Sequence, residues 1–213
     1  MFPLGTVLLP SVFLPLHVFE PRYREMTRVC LAGDHEFGVV LIERGSEVGG
    51  GEVREQVGTG ARILEAVELP DGRWAIGAVG TRRIRVNEWL ADDPYPRADV
   101  DDWDDPPPSG DLVGSIADTT ALLRRVLART AELGDPAAAS TQELTDDPIL
   151  ATYQLAALAP FGPSDQLALL AAPSAEARVD HLHALLLDEE QFLIRRLELS
   201  DADDQGFGPD GGG

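Results

Sequence analysis

"ARILEAVELPDGRWAIGAVGTRRIRV", residues 61–86, holds two strand-like runs around Pro70-Asp71-Gly72. Proline presets φ for a turn and glycine takes a positive φ, so the stretch predicts a long β-hairpin. Its second arm continues through Ile84 and Val86, which alternate with Arg83 and Arg85 as a half-buried strand with an arginine face would. Two arms of this length with no helix between them belong to an antiparallel sheet.

Working outward, the segments on either side also read as strands. "EFGVVLIE" (36–43) is a short, β-branched apolar run suited to a buried strand. "SVFLPLHVF" (11–19) is extended, and Pro15 places it at an edge or a bulge because proline cannot donate to a ladder. "YPRADVDDW" (95–103) adds one more strand, and "GSEVGGG" (45–51) reads as a flexible loop. Between the first two strands, "FEPRYREM" (19–26) marks a strand-to-helix joint, with Pro21 in the first turn. Tyr23, Met26, Val29 and Cys30 are expected to form that helix's inner stripe, with Glu20 and Arg24 paired at i, i+4 and Gly33 closing it. Many short strands with one early helix and no βαβ alternation favour a small barrel.

From residue 111 the period becomes helical. Leu112, Ile116, Thr119, Leu123, Val126, Leu127 and Thr130 share a face, and Gly134 stands at a C-cap. Asp147-Pro148 opens a further helix that Pro160 ends; Ser164 and Ser174 are candidate caps for the next two. The last helix carries Val179, Leu182, Leu186, Leu193 and Leu197. The expected organisation is α+β: a barrel over 1–103, an acidic proline-rich linker over 104–110, a helical bundle over 111–199, and a disordered tail over 200–213.

Charge separates the same two halves. The net charge is −20; residues 1–90 hold 12 acids and 10 arginines, whereas residues 91–213 hold 25 acids and 7 arginines. This balance opposes nucleic-acid binding and an acidic membrane surface. All 17 positive side chains are arginine. Without lysine there is no Schiff-base lysine, no Ser–Lys dyad and no G-x-x-x-x-G-K-[ST] phosphate loop. The single cysteine, Cys30, excludes an intramolecular disulfide and suits a reducing compartment. Pro3, Pro10 and Pro15 interrupt the apolar N-terminal stretch, and it has no basic n-region, so a soluble, cytosolic protein is expected.

Sites of chemistry are hard to find. His17 sits in an apolar strand with no second ligand at metal spacing and reads as a structural histidine. His181 and His183 would point about 200° apart on a helix. Gly58-Thr59-Gly60 lies between strand residues rather than at a strand-to-helix turn, so it does not cradle phosphate. No metal, no cofactor and no catalytic residue is expected.

The order of the pieces resembles a known family. "FPLGTVLLPSVFLPLHVFEPRYREM", "FGVVLIERG", "EQVGTGARILEAVELPDGRWAIGAVGTRRIRV" and "AEARVDHLHALLLDEEQFL" together are similar to the N-terminal substrate-binding domain of Lon proteases across residues 1–198. Three pieces are the most specific: P-L-H-V-F-E-P-R-Y, V-G-T-x-A-R-I, and the L-P-D-G hairpin followed by G-x-R-R. The resemblance implies a PUA-like pseudo-barrel followed by helices, with a role in recognising protein substrates. No catalytic residue of that family falls in the matched region. The implied protein is a stand-alone, non-enzymatic binding module without ATPase or protease domains, an adaptor for unfolded or apolar polypeptide segments working with a protease or chaperone.

Such binding requires apolar anchors. Phe19, Trp74, Trp89 and Tyr95 are the candidates, although Trp74 shares parity with the core positions Ile76 and Ala78. Fold analogy adds two other readings: a small-ligand receptor, because a related barrel occurs in cereblon, and an RNA-binding PUA-like protein with Arg82, Arg83 and Arg85 as its face.

Overall fold

The computed structural model describes residues 1–45, 51, 53–136 and 143–206, with side chains described to residue 199. The loop expected at 45–51 lies mostly outside the described residues, as does 207–213 of the expected tail.

Six strands and five helices follow one another as β1 (Phe2–Leu4), β2 (Phe13–Val18), α1 (Pro21–Ala32), β3 (Glu36–Arg44), β4 (Val53–Glu68), β5 (Trp74–Leu90), β6 (Arg97–Asp102), α2 (Leu112–Glu132), α3 (Pro148–Leu158), α4 (Pro163–Leu170) and α5 (Ala175–Gly206). The sheet runs β1-β3-β4-β5-β2, with β6 also on β5. Among the described residues only the β1–β3 pair is parallel. The long hairpin is therefore its spine: the first part of β5 pairs with β2 and the second with β6. At the turn Gly72 has φ +77°, and Leu69 and Arg73 close the hairpin with a 2.8 Å bond. Bulges at Gly60/Ala61 and Ile63/Glu65 curl the two strands.

Close approach explains two glycines. A Cβ on Gly58 would lie 2.2 Å from the Val39 carbonyl oxygen, and one on Gly80 would lie 2.4 Å from that of Leu9. Gly58-Thr59-Gly60 is thus a packing motif, and the buried Thr59 hydroxyl donates to the Leu8 carbonyl at 2.5 Å.

Around α1 several expectations need correction. Tyr23 and Met26 are buried, but Thr27 completes the stripe and Val29 is 50% exposed. Thr27 can occupy an apolar face because its hydroxyl donates to the Tyr23 carbonyl. Glu20 pairs with Arg22 at 3.1 Å, not with Arg24, whose guanidinium lies against the Gly72 turn. His17, read as a structural histidine, is exposed, because its odd position in β2 faces outward.

The helices pack as an apolar bundle. Asp111 caps α2 by accepting from Gly114 N–H, and Asp147 caps α3 by accepting from Ile149 and Leu150 N–H. Gly134, at φ +77°, follows α2, with Asp135 N–H returning to the Thr130 carbonyl. Ser174 caps α5 through Ala177 N–H at 3.2 Å. Ser164 caps nothing, since Pro163 starts α4 one residue earlier and Gly162 takes the cap position. α5 continues to Gly206, so 200–206 is helical where a structureless tail was expected. No proline or glycine interrupts 200–205, leaving nothing to stop the helix before Gly206.

Leu9, from the segment between β1 and β2, is 1% exposed and joins Leu122, Val126, Leu155, Leu169 and Leu186 in the bundle core. Barrel and bundle therefore share apolar packing. Ion pairing reinforces it at the segment expected to be a linker, where Asp105 is buried.

Candidate functional site

β2 divides its side chains by parity. Leu14, Leu16 and Val18 turn toward the barrel core, while Phe13, Pro15 and His17 are exposed. Across the ladder Pro15 stands opposite Gly77 and His17 opposite Ala75. On the next strand Glu65 and Val67 face the same two residues. The small residues Ala75 and Gly77 thus floor a shallow cavity of about 290 Å³ walled by Phe13, Pro15, Glu65 and Val67. A Cβ on Gly77 would lie 3.0 Å from both Phe13 Cζ and Glu65 Cγ. Phe13 is 54% exposed, Val67 57%, and the nearby bulge residue Leu64 60%. Exposed apolar side chains in such a group are characteristic of interaction surfaces.

A second cavity, of about 180 Å³, shares Pro15, Leu16 and His17 with the first and extends to Phe2, Leu4, Phe19 and Tyr23. The two make one apolar surface on either side of β2.

The four expected anchors do not come together. Phe19, 54% exposed, lies on this surface. Trp74, opposite Val18 at the end of β2, packs partly buried against the barrel core. Tyr95 lines a separate cavity of about 420 Å³ with Met1, Met26 and Cys30. Burial pushes the Cys30 thiol pKa up, which keeps it protonated and unreactive. Trp89, half-buried, lies under the Arg54 guanidinium at 5.0 Å. The exposed apolar residues that sequence reasoning missed are Phe13, Pro15 and Val67. For Phe13 and Pro15 the signal was the alternation in β2, masked because both faces of that strand are apolar; Val67 stands on β4, beyond the bulge at Leu64 that breaks the alternation.

The arginine face does not form. Arg82 pairs with Glu36 at 2.6 Å and Asp102 at 2.7 Å. Arg83 is 3% exposed and donates to the Leu170, Ala172 and Trp103 carbonyls and to Asp105. Arg85 stacks on Trp103 at 3.9 Å, opposite Asp101. Of the three, Arg83 is buried and Arg82 is paired with two acids, which leaves Arg85 as the exposed member.

Instead, Arg83 belongs to a buried network between barrel and bundle. Arg178, 0% exposed, donates to the Leu169 carbonyl, Thr152 Oγ1, Tyr153 OH and Asp105 Oδ1. The Tyr153 hydroxyl donates to Asp105 Oδ2 at 2.7 Å. Burial pushes the tyrosine pKa far up and depresses that of Arg83. A cavity of about 310 Å³ borders these groups. The two guanidiniums share one carboxylate, and their other N–H groups donate to carbonyl and hydroxyl oxygens, so the network ties barrel to bundle.

Among the described residues no group of three or more His, Cys, Asp and Glu could hold a metal ion. His183 Nδ1 lies 3.1 Å from Thr119 Oγ1, as a structural ring would. No described helix is long and apolar enough to cross a membrane.

Comparison with known proteins identifies the scaffold. The sequence profile of the ATP-dependent protease La (LON) substrate-binding domain matches residues 1–188. The chain belongs to this family. Lon protease 1 of Herpetosiphon aurantiacus is 25% identical over 89% of the chain, which corresponds to 24% of that protease. The chain spans at most about a quarter of the length of the curated relatives it matches. Among solved structures, a Lon N-terminal domain protein from Xanthomonas campestris is 29% identical, with a TM-score of 0.60, over 86% of this chain and 95% of that one. The N-terminal domain of Mycobacterium avium complex Lon protease shares the fold, with a TM-score of 0.61 over 89% of this chain and 96% of that one, at 17% identity. This LON substrate-binding domain is thus α+β, a curled mixed sheet followed by helices, as the sequence resemblance implied.

Proposed function

We propose that this LON substrate-binding domain is a non-catalytic recognition module that engages unfolded or apolar polypeptide segments, and that it serves as an adaptor in proteolysis or quality control. The observation that carries the reading is the exposed surface around β2, where Phe13, Pro15 and Val67 surround a floor of Ala75 and Gly77 and Phe19 lines the adjoining cavity. Family membership supports it, because the matching domain is described by substrate binding. The absence of lysine from residues 1–213 supports the non-catalytic part.

Magnitudes bound the affinity. Full burial of a Phe or Val side chain contributes about 1.5–3 kcal/mol, whereas association costs roughly 4–15 kcal/mol. A few such anchors therefore give weak, transient binding, as suits a protein that must release its substrates. The RNA reading is disfavoured because Arg83 is buried and Arg82 is paired with Glu36 and Asp102. The two cavities of the β2 surface, about 290 and 180 Å³, lie below the usual range of about 300–1,000 Å³ for ligand pockets.

The test compares two forms of one probe. Reduced, carbamidomethylated lysozyme keeps the charge of the native protein but exposes its apolar residues. The unfolded form is expected to bind at moderate salt and native lysozyme is not. Equal binding of both, collapsing together as salt is raised, would overturn the reading in favour of charge attraction.

A further inference from the structure

β1 and β2 are the two ends of the sheet path β1-β3-β4-β5-β2. Among the described residues β1 pairs only with β3 and β2 only with β5. The barrel is thus open between them, and the 180 Å³ cavity occupies that seam, lined by Phe2 and Leu4 from β1 and Pro15 and Val18 from β2.

Register determines which backbone groups of β2 face the seam. Gly80 N–H donates to the Val12 carbonyl at 3.0 Å, and Ser11 N–H donates to the Gly80 carbonyl at 2.8 Å. Residues of an antiparallel strand alternate between facing their partner and facing away. Leu14, Leu16 and Val18 consequently direct their N–H and C=O groups to β5, while Phe13, Pro15 and His17 direct theirs to the open side. Pro15 sits where its missing N–H costs the ladder nothing. The remaining outward groups are the N–H of Phe13 and His17 and three carbonyls.

The free edge of β6 is defended by charge. β6 carries Arg97, Asp99, Asp101 and Asp102, the charge that natural edges use to prevent strand addition. β2, "FLPLHV", carries no Asp, Glu or Arg.

From this contrast we infer that the seam between β1 and β2 accepts an extended segment of unfolded polypeptide as an added strand on β2, apolar in sequence and free of acidic residues. The backbone rows select an extended chain. Phe2, Leu4 and Phe19 select apolar side chains. Exposed Glu65 beside the site and the net charge of −20 disfavour acidic ones. The inference rests on the polypeptide-binding reading and adds its mode, strand addition in place of side-chain contact alone.

Residue-resolved amide exchange, with reduced carbamidomethylated lysozyme as probe, tests it. On binding, the Phe13 and His17 amides are expected to exchange at least tenfold more slowly. His17→Pro, which removes an outward N–H, is expected to weaken binding at least tenfold more than His17→Ala, which removes the same side chain but keeps that N–H; equal losses in the two variants would overturn strand addition. Binding with both amides exchanging as fast as in the free protein would overturn strand addition and leave the apolar surface standing. Failure of the probe to bind at all would overturn both.

Discussion

Arg178 donates to Asp105 Oδ1 at 2.8 Å, with the two side chains 0% and 4% exposed. Asp105 also receives Arg83 of the barrel at 3.1 Å, so one carboxylate bridges a barrel guanidinium and a bundle guanidinium. Removing one partner of a buried network leaves an uncompensated charge, at about 3–5 kcal/mol. Asp105→Asn is therefore expected to lower unfolding stability by roughly that amount, read from denaturant midpoints. A loss below about 1 kcal/mol, the level of an exposed pair, would show that the network carries no load.

Gly80 predicts a steric effect. Its Cβ would meet a backbone oxygen, that of Leu9, at 2.4 Å, and backbone cannot swing aside as a flexible side chain can. Gly80→Ala is expected to cost about 1–3 kcal/mol in the same assay, since it forces Leu9 out of the bundle core. An unchanged midpoint would mean that the Leu9 segment is free to shift.

Acid sensitivity should arise partly at Glu36. Burial pushes its carboxyl pKa up, but hydrogen bonds from Arg82 and Arg62 more than offset this, so the folded value lies below the ordinary 4.5. A depressed acid contributes stability that is fully present above the unfolded pKa and is lost as pH falls through the folded one. In wild type, unfolding stability should thus decline below about pH 4.5. Glu36→Gln should flatten that decline. An identical acid limb in the variant would remove Glu36 from the explanation.

Much of this was legible in the sequence, and the failures share a cause. The Pro70-Asp71-Gly72 hairpin, the Pro21 helix start and the Asp111-to-Gly134 helix announce themselves through local turn and cap chemistry. Gly58 and Gly80 do not, because the atoms they approach lie on other strands. Arg83 alternates with Ile84 like an outward residue, yet that outward face of β5 is covered by the bundle. Asp105 sits in "DDPPPSG", whose composition reads as solvated linker. Only the tertiary arrangement shows that two guanidiniums converge on it. The site was obscured for a related reason: large rings drew the choice of anchors to Trp74, Trp89 and Tyr95, which are partly buried, and away from Phe13 and Val67.

The central claim is that the exposed apolar surface around β2 binds unfolded polypeptide. Its most direct test is the affinity of reduced, carbamidomethylated lysozyme for wild type and for the double variant Phe13→Ser, Val67→Ser. Both residues are more than half exposed, so the variant should unfold at an unchanged midpoint while its affinity drops at least tenfold. Undiminished affinity in a folded variant would contradict the account.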